Sequence, residues 1–415
     1  MEDNPLLVGI DVGTTKICAL IADVDTEGVL RILGVGLEPA RGMRKGVVVD
    51  VEQASQAIAA AVEKAQRSAG YEIGVAFVSL AGSHIASVNS RGVVGIGGGS
   101  HGIDQDDIDR ALDAAQAIAI PHGREVLHVI PRGFVVDGQD GIRQPMGMHG
   151  FRLEVEAHII TAATASVQNL TQCVESAGVQ VEAYVLNPLA SAEVTLTDTE
   201  KEMGVVVCDI GGGTTDMAIY IDGNVWHTMV LSVGGNHLTS DIAHGLRLPA
   251  DVAEKIKITY GHASRADVAG TDVFTVQPFG EDKPVQIARA DLVTIIEARV
   301  EEIFGLILQE IKRTGYDGLL PAGVVLTGGS SLLPGLRKVA SGVLNLPCRV
   351  AAPQNLIGLT DRLDGPAFST SVGLLHWARR ESLSPLRAKK KKSGAKPPIN
   401  VDLNRGLDFL KRLLP

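Results

Sequence analysis

One pattern occurs twice in this chain, and it constrains the fold more than any other feature. Leu6 to Asp11 is a short apolar run ending in aspartate, followed by Val12-Gly13-Thr14-Thr15-Lys16 and a second apolar run, Ile17 to Ile21. The same order returns at Gly204 to Asp209, then Ile210-Gly211-Gly212-Gly213-Thr214-Thr215-Asp216, then Met217 to Ile221. Apolar runs this short, bounded by turn residues, predict buried strands rather than helix. The two copies share an apolar strand, Asp, a β-branched residue, Gly, Thr-Thr and a second apolar strand. Such an internal repeat predicts two similar halves facing each other. At 415 residues the chain is long enough to hold them as separate domains.

An aspartate at the end of a buried strand, followed by a Gly/Thr turn, has a definite chemical use. Glycines let backbone N–H groups approach phosphate oxygens closely, and threonine hydroxyls add donors. The aspartate can hold Mg²⁺ through its waters. Two such turns would clamp a polyphosphate between the halves, with Asp11 and Asp209 sharing the metal and Lys16 offsetting phosphate charge. A lone turn of this kind is more often structural; the repeat, joined by Val324 to Ser331 with its Thr-Gly-Gly-Ser-Ser, is far more specific.

Around these turns the spacing predicts a helix over 51–69 stopped by Gly70, a strand over 73–80, a helix over 104–118, helices over 238–245 and 250–260, a strand-rich insert to about 287, a long helix near 289–312 and a buried strand over 322–327. The texture changes from Gly82 to about Thr164, where short polar-flanked strands enclose the 104–118 helix. Asp106 and Asp107 in its first turn complement the helix dipole rather than mark a metal site. The run Gly95 to Ser100 lacks a following Gly-Lys-Ser/Thr and predicts a loop. His122, His128 and His149 have no ligand spacing, and the body ends near Trp377. Nothing approaches eighteen uninterrupted apolar residues, so no span of a bilayer is expected. The acidic N-terminus is unlike a secretory signal. Cys18, Cys173, Cys208 and Cys348 lie far apart with no CxxC pair, which predicts reduced core thiols in a cytosolic protein.

The net charge of −10 is uneven. From Arg379 to Pro415 eleven basic residues meet three acids, so that segment carries +8 and the rest of the chain −18. An acidic body of this kind does not bind nucleic acid generally. Residues 381–398, rich in Ser, Pro and Lys, predict a disordered linker with a reach of about 25 Å. In residues 399–415 periodicity returns: on a helix Leu407, Leu410 and Leu414 fall within about 40° of Leu403. Phe409 and Leu413 widen that face, while Arg405, Lys411 and Arg412 lie outside it. An amphipathic helix beside a polybasic linker fits an anionic membrane surface. Docking of that helix back on the body is the alternative.

The turns Asp11–Lys16 and Asp209–Asp216, with Val324–Ser331, resemble the two phosphate motifs and the adenosine motif of the actin, heat-shock chaperone and sugar-kinase superfamily. Ala253-Glu254-Lys255-Ile256-Lys257 resembles the helix that touches ribose and adenine there, with Glu254 and Lys257 at the contacting positions; Gly234-Gly235 matches a further glycine pair near the nucleotide. Over essentially its whole length the chain is similar to the FtsA family of bacterial cell-division proteins, in segments that include 41–46, 125–132, 147–154, 328–331 and 371–375. The resemblance implies an α/β actin-like ATPase fold: two facing duplicated halves around a nucleotide cleft, each with a small extra subdomain. The first half would comprise 1–81, 165–202 and 360–380, with a small domain inserted at 82–164. The second would comprise 203–245 and 316–359, with a small domain at 246–315.

The resemblance also implies ATP and Mg²⁺ as cofactors. Asp11 and Asp209 would be catalytic, with Gly13, Thr14, Thr15, Lys16, Gly211, Gly212, Gly213, Thr214, Thr215, Gly234, Gly235, Glu254, Lys257, Gly328, Gly329 and Ser330 at the nucleotide. Implied partners are the C-terminal peptide of the division polymer FtsZ on the 246–315 domain, further copies in a filament, later division proteins and an anionic membrane. The implied place is the cytoplasmic face of the plasma membrane at the division site. Some relatives carry a glutamate before a proline in the connecting helix, where it positions the attacking water. Here the matching stretch is Leu186-Asn187-Pro188, and an amide can orient water without acting as a base. Tight ATP binding with slow or negligible hydrolysis is therefore expected. A pilus-assembly protein of the PilM type and a small-molecule kinase of the same superfamily stand as alternatives; the first would not need the tail, and no sugar cleft or general base for the second is evident.

Overall fold

A computed structural model describes residues 6–25, 29–97, 102–117, 120–354, 356–361 and 363–383. The chain opens with a meander, β1 (Leu7–Val12), β2 (Lys16–Val24) and β3 (Leu30–Pro39), followed by a small hairpin of β4 (Met43–Arg44) and β5 (Val47–Val48), then α1 (Val51–Ala69) and β6 (Val75–Leu80). Next come β7 (Ala86–Gly95), α2 (Gln105–Gln116), β8 (Arg124–Val136), β9 (Gln139–Ile142) and β10 (Arg152–Ala163). They lead to α3 (Thr164–Glu175), β11 (Gln180–Leu186), α4 (Asn187–Thr195) and α5 (Asp198–Met203). A second meander, β12 (Val205–Ile210), β13 (Thr215–Ile221) and β14 (Asn224–Leu231), precedes α6 (Gly235–Gly245), α7 (Ala250–Tyr260), β15 (Val273–Val276), β16 (Val285–Ala288) and α8 (Arg289–Thr314). The last elements are β17 (Gly323–Thr327), α9 (Leu336–Leu344), β18 (Cys348–Val350), β19 (Ile357–Gly358) and α10 (Ser369–Leu383).

The repeat extends to whole sheets. One has the order β11-β6-β1-β2-β3-β19 and the other β14-β13-β12-β17-β18. In each, the leading strand pairs antiparallel with the next, which pairs antiparallel with the third. On its other side the leading strand runs parallel to β6 or β17, which in turn runs parallel to β11 or β18. Strand alternation then decides what faces what. Val8, Ile10 and Val12 point to a core shared with α1 and α3, and Val206, Cys208 and Ile210 point to a core shared with α6, α8 and α9. Leu7, Val205 and Val207 point the other way, into a core that also holds Leu189 of α4 and Leu374 of α10. These two helices are therefore sandwiched between the sheets, and Asp11 and Asp209, in register with that inner set, face the same gap.

The unit between β6 and α3 forms its own sheet, β7-β10-β8-β9, with α2 against it and a small core of Ile103, Phe134, Leu153, Val155 and Ile159. It also touches the second sheet: His158 bonds Thr228 Oγ1 at 2.9 Å, and Asn224 Nδ2 donates to Arg132 O at 3.1 Å.

Several elements differ from the sequence expectation. The strand-rich insert before residue 287 contains, as strands, only the β15–β16 hairpin. Helix α2 begins at Gln105 because Asp104 caps it, in a reciprocal box with Asp107. Helix α6 starts three residues early, at Gly235, whose N–H donates to Gly211 O at 2.9 Å. The body continues past Trp377 to Leu383: Arg380 lies over the Trp377 ring at 4.1 Å and pairs with Glu193 of α4. Cys18, Cys173 and Cys208 are buried, Cys348 is half-buried and all four are free. No helix among the described residues is long and apolar enough to cross a membrane. Gly98, Gly99 and Ser100, the linker beyond residue 383 and the whole 399–415 helix, with Leu403, Arg405, Leu407, Phe409, Leu410, Lys411, Arg412, Leu413 and Leu414, lie outside the described residues.

Candidate functional site

The two repeated turns meet at one cleft of about 480 Å³, within the range of about 300–1,000 Å³ usual for small-molecule sites. Of the residues singled out from sequence, it is lined by Asp11, Gly13, Thr14, Thr15, Lys16, Asn187, Asp209, Gly211 to Thr214, Gly235, Glu254, Lys257 and Gly328 to Ser330. Thr215 and Gly234 are not among the lining residues. Thr215 is fully buried and donates to Val233 O at 2.8 Å, while Gly234 packs against the carbonyls of the second turn.

Strand register explains the Thr215 outcome and corrects the alignment of the two copies. Asp11 pairs with Cys18 and Asp209 with Asp216, so the hairpins have equal length. Gly13 N–H donates to Lys16 O at 3.1 Å and Gly211 N–H to Thr214 O at 2.9 Å, each closing a two-residue tip. Thr14-Thr15 is therefore equivalent to Gly212-Gly213, and Thr214-Thr215 to Lys16-Ile17. The tips also touch: a Cβ on Gly212 would lie 2.0 Å from Thr15 Oγ1, and one on Gly213 2.5 Å from Thr14 Oγ1. Threonines on one side are accommodated by glycines on the other.

Asp11 and Asp209 are the last inward-facing residues of β1 and β12, and both are buried. Asp11 accepts from Ser79 at 2.9 Å and from Ser371 at 2.7 Å; Asp209 Oδ2 accepts from Thr370 at 2.6 Å. Burial pushes Asp209 up to about 6, against the hydroxyl of Thr370, with the nearby Asp11 carboxylate adding to the rise. Asp216, fully buried beside Asp209, is raised well above the usual carboxylate range by the same desolvation. Among the described residues no three His, Cys, Asp or Glu side chains stand close enough to ligate a metal together. A pair of carboxylates with room for retained waters does suit Mg²⁺, and a bound cation would favour their ionised forms. Asp11 and Asp209 thus fit a cation held through water.

The other polar groups are arranged around this pair. Lys16 Nζ donates to Ala367 O at 2.5 Å and lies 4.0 Å over the Phe368 ring, on the turn leading into α10. Lys257 Nζ donates to Glu254 at 2.7 Å and to Gly235 O at 3.1 Å, and Ser330 Oγ to Gly211 O at 3.0 Å. Asn187 Oδ1 and Asp216 Oδ1 are buried in lining residues with no hydrogen-bond partner among the described residues. Sequence reasoning missed Asp216, Asn236, Gly46, Ala81 and Thr370 as lining residues, and Ser79 and Ser371 as partners of Asp11. Asp216 stood within the quoted motif and Asn236 directly after the quoted Gly234-Gly235 pair; the others lie in segments that only tertiary structure brings to the cleft.

A family model described as "Cell division protein FtsA" matches residues 206–373, and a second, "SHS2 domain inserted in FTSA", matches residues 82–161. Cell division protein FtsA of Pseudomonas aeruginosa is 43% identical over 375 residues, 90% of this chain and 89% of that one. Its counterpart in Neisseria meningitidis serogroup B is 43% identical over 381 residues, 91% of each chain. Among solved structures, the PilM-PilN type IV pilus biogenesis complex is similar with a TM-score of 0.66 at 15% identity, over 90% of this chain and 98% of that one. MreB5 of Spiroplasma citri bound to ADP gives 0.53 at 16%, over 94% and 98%. The MamK double helical filament gives 0.52 at 14%, over 90% and 98%. At these identities the structural matches establish an actin-like fold.

Proposed function

Since the chain belongs to the FtsA family of cell division proteins, we propose that it is an ATP-binding, actin-like scaffold that assembles on the membrane and tethers the division polymer FtsZ there. The observation that carries the nucleotide reading is the convergence of two repeated turns and a Gly-Gly-Ser turn on one cleft, with a buried aspartate from each half facing it. Asp11 and Asp209 would hold Mg²⁺ through water, which supplies positive charge beside the phosphates. The glycines of the second turn would let backbone N–H groups approach phosphate oxygens, and Thr14 and Thr15 would add hydroxyl donors, whereas Thr214 Oγ1 donates to Asp216 Oδ2 at 2.9 Å. Lys16 lines the cleft and would turn from Ala367 O to the phosphates. Glu254 and Lys257 lie where ribose and base would rest. That a similar fold, MreB5 of S. citri, was solved bound to ADP supports the reading.

Hydrolysis should be slow. Asn187, at the start of α4, lines the cleft, and an amide can orient a water but cannot remove its proton near neutral pH. The expected result is ATP binding by the purified chain that is lost in Asp209→Ala, with turnover far below one per second. Turnover of several per second, abolished by the same substitution, would refute the slow-hydrolysis reading.

The remaining parts follow the family. Residues 246–315 are assigned to the FtsZ C-terminal peptide, and residues 82–164 to contacts between copies and with later division proteins. Assembly finds support in a similar fold that forms a double helical filament, MamK. Residues 384–415, after the end of α10, would bring the body to the cytoplasmic face of the membrane through the basic linker and the apolar face of Leu403, Leu407, Leu410 and Leu414. A helix of about three turns binds reversibly, and assembly would raise its avidity. Co-sedimentation with anionic vesicles should fall with Leu407→Glu; unchanged binding would remove the tail from the scheme. The PilM alternative shares the fold, and the basic amphipathic tail favours the tethering reading over it.

A further inference from the structure

Three consecutive hydroxyl residues open helix α10, and each goes to a different strand end. Ser369 Oγ lies 2.7 Å from Thr327 Oγ1 at the end of β17; Thr370 Oγ1 donates to Asp209 Oδ2 at 2.6 Å; Ser371 Oγ donates to Asp11 Oδ2 at 2.7 Å. Successive helical residues point about 100° apart, so in a helix held between two sheets positions 370 and 371 reach opposite halves. All three side chains are buried. We propose that Thr370 and Ser371 are positioning residues that fix the two metal-holding aspartates relative to each other across the cleft. The proposal rests on the ATP and Mg²⁺ reading above and assigns this chain's own residues a role in it.

A hydroxyl has a single proton to give, and here each proton is committed to one carboxylate oxygen. The other oxygen of Asp11 is taken by Ser79 at 2.9 Å, and Asp209 Oδ1 lies against Gly328, where a Cβ would sit 2.4 Å away. Both carboxylates are thus held in one orientation, although they belong to different halves. The common reference is a single helical turn. Partners of this kind orient groups that hold a metal, and their removal typically costs about 10- to 100-fold in metal affinity. If the hydroxyls merely satisfied buried carboxylates, their loss would lower stability and weaken nucleotide binding equally with and without metal.

The test is binding of a fluorescent ATP analogue to the full chain, titrated with Mg²⁺ and repeated in EDTA, with melting temperature recorded in parallel. Thr370→Val and Ser371→Ala should each raise the Mg²⁺ concentration for half-maximal binding about tenfold and leave affinity in EDTA unchanged. Thr370→Ser, which restores the donor, should return to the wild-type requirement. Ser369→Ala, whose hydroxyl meets Thr327 and neither aspartate, should also keep that requirement. A wild-type Mg²⁺ requirement in both variants overturns the proposal, as does equal weakening in EDTA and Mg²⁺. Ser371→Ala removes one oxygen only and decides the matter if valine at 370 prevents folding. A wild-type chain that binds the analogue without any Mg²⁺ dependence overturns the metal reading itself, and the proposal with it.

Discussion

Thr14-Thr15 and Gly212-Gly213 occupy equivalent tips of two equal hairpins, yet they have opposite sizes, because the tips press on each other. A methyl at 212 would sit 2.0 Å from Thr15 Oγ1, and strain of this sort costs about 1–3 kcal/mol. Gly212→Ala should therefore reduce the thermal shift produced by ATP, and adding Thr15→Ala should restore part of it, as a double-mutant cycle would show. Another residue-scale effect is titration. Burial, together with the nearby His227 and Arg132, pulls His158 down to about 3 from an ordinary value near 6.5. Its folded form refuses a proton that the unfolded chain accepts, so its share of stability is full above pH 6.5 and lost as pH falls toward 3. Asp209 and Asp216, raised in the fold, act in the opposite sense. The clean readout is a difference: in His158→Gln, unfolding free energies from urea titrations between pH 6.5 and 4 should fall less steeply than in wild type, by about 1.4 kcal/mol per pH unit. The individual aspartates were legible in sequence because a carboxylate ending an apolar run is unusual. Ser79, Thr370 and Ser371 were not, since a serine or threonine in a buried element carries no local sign of its partner.

At the scale of elements, periodicity located most helices, and Gly70 closes α1 where expected. What it could not give was how helices meet. Helices α4 and α10 cross so tightly that a Cβ on Gly373 would fall 1.9 Å from Ala190 O, a backbone atom that cannot step aside. Gly373→Ala should lower the unfolding free energy by about 1–3 kcal/mol or more, measurable in urea, and weaken ATP binding with it, because the first turn of the same helix holds both aspartates. The extension of α10 past Trp377 was hidden for a related reason. Arg380 looks like the start of a basic tail in sequence, and only the fold supplies Glu193 and the Trp377 ring as its partners.

In the whole molecule, the inserted unit belongs to the first half by chain order but is also pinned to the second. Arg132 lies 4.3 Å over the Trp226 ring, its Nη2 donates to the Tyr316 hydroxyl at 3.3 Å, and its carbonyl accepts from Asn224. Arg132→Ala should raise backbone amide exchange through residues 124–163 and 224–231 while α1 and α8 stay protected; uniform protection would mean that this joint carries little of the docking. The sequence by itself determined the two-fold plan, because a repeat of strand, aspartate and turn is a local pattern that survives in one dimension, and alternation along each strand already set which residues share a face. It also set the charge division between body and tail. Tertiary structure alone decided that the tips of the two turns touch, that Thr215 faces the core, and that one helical turn from the far end of the chain grips both aspartates. Those facts depend on strand register and on contacts between residues up to 360 positions apart, and neither leaves a trace in local sequence.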